Sequence, residues 1–240
     1  MPSPRIAAAY RRLALIGVLG TGLLSACEPA PRRLNADERR LLGQVGLDAP
    51  GVVEALESLS RPLLPFYGTD EEGEPGLTVG VSVEVPYGSA EIVLREIRAV
   101  LAGLGPGAFY SERTFGFRDD FLAIVASDDP YDYLGQVRTN GLARGLSHED
   151  VIGRLRGWEE AGLRFDFVGG GHDWVAARFE APSDDVRMGF LEELLDFCPD
   201  VVGDGTRGPT AEGLTRTRWE SDRFHCWWRG ADPGMPTPDR

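Results

Sequence analysis

The chain has three histidines, His148, His172 and His225. His172 and Asp173 follow Gly169-Gly170-Gly171 and precede Trp174, which places an imidazole beside a carboxylate on a glycine-rich turn. Such a pair is a weak candidate for a general base held in orientation by an acid. The competing role for Asp173 is to cap the backbone of the turn. Asp200, behind Phe197-Cys198-Pro199, is a third weak catalytic candidate. The spacing of the histidines matches neither HExxH nor a local metal clip, so no metal site is assigned. Cys198 as a nucleophile would need a free thiol and a nearby base. No GxSxG element occurs, and the glycine turns do not fit GxGxxG between a strand and a helix. No cofactor is expected.

Composition excludes further chemistry. All 25 basic residues are arginine, so a Schiff-base lysine and a P-loop lysine are both ruled out. With 38 acids the net charge is −13. That balance argues against general nucleic-acid binding, which depends on neutralising phosphates.

The first 26 residues read as an export signal. Arg5, Arg11 and Arg12 precede an apolar run, Leu13 to Ala26, that is too short to span a bilayer comfortably but fits a signal-peptide core. The run ends in Leu24-Ser25-Ala26-Cys27, which resembles the bacterial lipoprotein box. The resemblance implies that Cys27 carries the lipid and becomes the first residue of the mature chain. One acyl chain binds membranes only marginally, so two or three are needed for stable anchoring. The expected partners are a membrane, reached through the lipid, and an envelope protein or other envelope component. Glu28, in place of aspartate after the cysteine, points to the outer membrane. Removing the signal leaves 22 basic against 38 acidic residues, a balance of −16. Besides Cys27 there remain Cys198 and Cys226, a candidate disulfide in an oxidising compartment.

The elements that must position these residues follow from periodicity. Residues 27–36 read as a tether, and 37–76 as a helical lead-in ending in the acidic loop Gly68 to Gly76. The main domain is expected at 77–230, with a disordered tail at 231–240. Strands are predicted at 77–85, 108–117, 121–126, 164–168, 174–181 and 224–228, and helices at 89–104, from Ser147, and at 185–197. The order suggests an α+β fold: a two-layer sandwich with a mostly antiparallel sheet and helices on one face. Its core would be ferredoxin-like with an extra strand-helix-strand. Trp227 and Trp228, if in a strand, point to opposite faces.

Several short motifs then recur in a recognisable order. They are Thr139-Asn140-Gly141, Asp150 within His148 to Ile152, Trp158, and Gly169 to Trp174 with Gly171 and Asp173 at its centre. Phe197-Cys198-Pro199-Asp200 and Trp227-Trp228 complete the set. Together they resemble the bacterial family called domain of unknown function 4253, over about residues 128–229. The chain departs from that pattern at Leu142-Ala143-Arg144, at Arg229 and in a short insertion around Trp219 to Asp222. The resemblance implies no activity. The reading is a non-catalytic interaction or binding module on an envelope lipoprotein; the alternative is an envelope hydrolase using His172, Asp173 and Asp200.

Overall fold

A computed structural model of the chain describes residues 32–86, 88–112, 118–198 and 223–228. The signal, Cys27, Pro199, Asp200 and the expected tail lie outside the described residues. The described residues, from Arg32 onward, belong to one compact unit.

The described part begins with two nine-residue helices, α1 (Ala36–Gln44) and α2 (Pro50–Ser58). Asn35 caps α1 in a full capping box with Glu38, and Pro50 starts α2 where a missing N–H costs nothing. The tether was expected to reach residue 36, but its end is docked: Leu34 is buried and Arg32 bonds Glu38. There follow β1 (Leu64–Thr69), β2 (Pro75–Val85), α3 (Ala90–Leu101), β3 (Gly107–Glu112) and β4 (Asp120–Val125). The family-like half continues with α4 (Pro130–Gln136), α5 (His148–Glu160), β5 (Arg164–Gly171), β6 (Trp174–Glu180), α6 (Asp184–Phe197) and β7 (Arg223–Trp227).

The fold class is α+β as expected, on one seven-stranded sheet in the order β1-β2-β4-β3-β5-β6-β7. Among the described residues every strand pairing is antiparallel except β3 with β5. Two expectations change. Helices lie on both faces, because both faces of the central strands are apolar. Along β4, Leu122 and Ile124 pack with α1, α2 and α3, while Ala123 and Val125 pack with α4, α5 and α6. The molecule therefore has three layers.

The ferredoxin-like core is also only partial. The split unit β2-α3-β3-β4 is present, with β4 between β2 and β3. In a ferredoxin-like sheet the next strand would return beside β2. That edge is already taken by β1, so β5 docks beside β3, parallel to it. The acidic loop is consequently not a separator between domains but the turn of the β1–β2 hairpin, with Asp70 bonding the Glu72 and Glu74 N–H groups.

The parallel seam is narrow, with Tyr110 opposite Gly169. A side chain at Gly169 would place its Cβ 2.3 Å from the Tyr110 carbonyl, so only glycine permits the approach. Two side chains from helices on opposite faces bracket the seam. Arg98 of α3 donates to Ala108 O on β3 at 2.9 Å, to Phe167 O on β5, and to Asp166 at 2.9 Å. The Tyr133 hydroxyl of α4 lies 2.9 Å from the Tyr110 carbonyl and 2.7 Å from that of Gly170, its one proton shared between them. Burial pushes the Tyr133 hydroxyl far above its ordinary range, so it stays a donor.

Candidate functional site

The motif residues converge at the carboxy-terminal end of β5. Gly169 to Gly171 belong to β5 itself, and the turn to β6 is only His172-Asp173. The glycines serve close approach more than the turn. Gly171, for example, leaves room for the Trp174 indole, whose Nε1 would stand 2.3 Å from an added Cβ.

The Thr139-Asn140-Gly141 loop runs beside this turn. It follows α4, which Asp129 caps, and enters through Arg138, a non-glycine residue at φ +45°. Thr139 is fully buried; its hydroxyl donates to Gly171 O at 2.8 Å. The Asn140 N–H donates to His172 O at 2.8 Å, and the Trp228 N–H to Asp173 O at 2.9 Å. The Asn140 side-chain carbonyl accepts from Leu142 N–H, while its amide donates to Arg138 O at 3.0 Å. The same amide nitrogen lies 3.2 and 3.3 Å from the two ring nitrogens of His172.

The three histidines go to three places. His148 Nδ1–H donates to the Thr139 carbonyl at 2.9 Å, which fixes the proton on Nδ1 because a carbonyl only accepts. His225 stacks on Trp174 with centroids 5.1 Å apart, on the sheet face turned away from α5 and α6. Among the described residues no three His, Cys, Asp or Glu gather as metal ligands.

The other motif residues join elements. Asp150 accepts from the Ser147 N–H and hydroxyl, closing the capping box of α5; those bonds hold its carboxyl below the usual aspartate range. Trp158 donates to Glu193 at 2.8 Å and meets Phe190 and Phe197 edge-on, which ties α5 to α6. Trp228 is buried, donates through Nε1 to Phe197 O at 3.1 Å, and lies against Gly141. Trp227 packs on the opposite face, as expected for successive strand residues. Cys198 and Cys226 are both buried free thiols in this structure.

Periodicity did not reveal that the β1–β2 hairpin closes over this end. Gly73, at φ +86°, lies against the His172 ring, so closely that an added Cβ would stand 2.6 Å from Cδ2. Glu71 pairs with Arg138 at 2.8 Å, Thr69 donates to Val137 O, and Gly68 passes against the Gln136 carbonyl. These contacts join residues far apart in sequence, which no local spacing records. Cavities lie elsewhere among the described residues. One of about 1000 Å³ sits at the far end of the β5–β6 hairpin, lined by Arg164, Arg178 and Arg187 among others. Another of about 300 Å³ opens beside Arg98 and Asp166.

Neither a curated protein nor a solved structure matches the chain. The stretch that holds β5, β6 and β7, with the loop and turn just described, resembles a family. Residues 121–229 match the model of the family described as Domain of unknown function (DUF4253), in keeping with the ordered motifs in the sequence.

Proposed function

We propose that the chain is a bacterial envelope lipoprotein, anchored through Cys27, probing its surroundings with a DUF4253 domain that binds a partner without chemically changing it. The anchoring half of this reading rests on the arginine-rich start, the short apolar core and the Leu24 to Cys27 box. Among the described residues no helix is long and apolar enough to cross a membrane. Glu28 favours the outer membrane.

The non-catalytic half rests on one observation, the packing of His172, whose ring has the Asn140 amide nitrogen 3.2 and 3.3 Å from its two nitrogens and Gly73 against it. A general base needs one nitrogen oriented by an acceptor and the other open to substrate. An amide neither takes nor releases a proton at neutral pH. His172 is thereby a packing and hydrogen-bonding residue, beneath the Gly73 turn.

Two measurements test this. Labelling cells with a radioactive fatty acid should mark the wild-type chain and not Cys27→Ala; equal labelling of both sinks the anchor. For the partner, amine-directed reagents are unsuitable because the chain has no lysine. A photo-crosslinking residue at Leu142, 58% exposed beside the motif loop, should capture one specific envelope component. Capture of nothing, with turnover of an envelope substrate that Asp173→Ala abolishes, favours the hydrolase instead.

A further inference from the structure

The two cysteines stand at either end of the stretch that joins α6 to β7. Cys198 closes α6, its N–H donating to Leu194 O at 2.7 Å. Cys226 lies in β7, opposite Val175 of β6. Both are wholly buried in the core between the sheet and α4, α5 and α6. The Cys198 sulfur rests on the backbone that follows Cys226: it accepts from the Trp227 N–H at 3.1 Å and lies 3.5 Å from the Trp227 carbonyl. Beside them Trp228 bonds Phe197 O, so the end of α6 and the end of β7 are already held in register. A disulfide needs its two cysteines side by side on fixed backbones. Here the two thiols are neighbours, and the bonds of Trp227 and Trp228 hold the backbones beside them.

We propose that Cys198 and Cys226 form a structural disulfide, made as the exported chain folds, which staples the end of α6 to the edge strand β7. The bond forms by exchange. One cysteine thiolate attacks a sulfur of a disulfide oxidant, such as glutathione disulfide or a protein disulfide, and releases one thiol. The second cysteine thiolate then attacks the mixed disulfide, forms the Cys198–Cys226 bond and releases the second thiol. The chain loses two electrons and two protons, and the oxidant gains them.

The timing follows from burial. Thiolate is the reacting form, and burial together with the neighbouring Cys198 thiol pushes the Cys226 thiol well up. Once β7 is seated, the reduced pair is shielded and slow. Exchange belongs to the folding chain, which makes the bond a permanent staple and not a surface switch.

The pairing itself does not depend on the envelope placement proposed above; only the cellular oxidant does. The test uses full-length Cys27→Ala, in which the pair are the only cysteines. The reduced, unfolded chain is refolded in glutathione and glutathione disulfide, then alkylated in denaturant without reduction. The expected product takes no alkyl group, is lighter than the reduced chain by two hydrogens, and yields one linked peptide holding both cysteines. Two alkyl groups, or glutathione on each cysteine, overturn the pairing. The native reduced chain in the same buffer should stay reduced far longer; prompt oxidation overturns the staple in favour of a switch. Wild-type chain alkylated at cell lysis should likewise be bridged. A bridge in vitro with free thiols in the cell would count against the envelope, not against the pairing.

Discussion

Glu38 takes four bonds at a buried position: two from the Arg32 guanidinium and one each from the Asn35 and Leu63 N–H groups. Burial works to raise its carboxyl, and these donors outweigh it, so the group sits below its ordinary value of 4.5. The folded state therefore prefers the ionised form. That contribution is fully present above the ordinary value and is lost as pH falls through the lowered one. Glu38→Gln is expected to destabilise the protein by about 2 kcal/mol at neutral pH, since it leaves Arg32 without its charge partner. The gap between wild type and variant should close as pH drops from about 5 towards 3. Urea unfolding across that range checks it; a gap independent of pH contradicts it. At the motif end single residues act similarly, through backbone groups. In the sequence Thr139 and Asn140 were legible only as part of a motif, and His148 as the start of a helix. Their targets, the carbonyls of Gly171 and His172 and the Thr139 carbonyl itself, were not, because tertiary approach alone sets them.

The weak joint between elements is the seam of β3 with β5. Its bracket makes a specific prediction. Tyr133→Phe and Arg98→Met should each cost about 1–3 kcal/mol by leaving strand carbonyls without a donor. Amide exchange should rise at residues 108–110 and 167–170 more than in the β2–β4 ladder, as read by hydrogen-exchange mass spectrometry. Uniform acceleration would mean that the bracket is not local. The elements themselves were largely legible. The valines of β2, the apolar stripe of α3 and the Ser147 cap of α5 carry strong local signals, and each element appears within a few residues of its expected place. β1 was not, because Leu64 to Thr69 contains Pro65 and Gly68 and shows no alternation. α4 was missed as a seven-residue helix with Gly135 inside it. The glycines of β5 looked like a turn because their purpose, room for Tyr110 and Trp174, lies outside their own segment. Which edge β5 joins depends on β1 occupying the other one, and periodicity carries no record of that.

At the scale of the whole molecule, the family match and the folding unit do not coincide. The match begins at Phe121, inside β4. Both sheet neighbours of β4, and the parallel neighbour of β5, come from residues before it. Leu122 and Ile124, wholly buried against α1, α2 and α3, would be bare in the matched segment alone. A chain of residues 121–229 is expected to show no cooperative thermal transition, whereas 32–229 should show one; cooperative melting of the shorter chain would refute this. The same order of strands has a consequence during synthesis. β3 is complete at Glu112, but the strand that covers its outer edge ends only at Gly171. Throughout that interval β3 offers unpaired N–H and C=O groups, a template on which a neighbouring nascent chain can add a strand. The greatest risk of misassembly therefore falls midway through translation, and any chaperone that escorts this chain must guard β3 until its parallel neighbour is made.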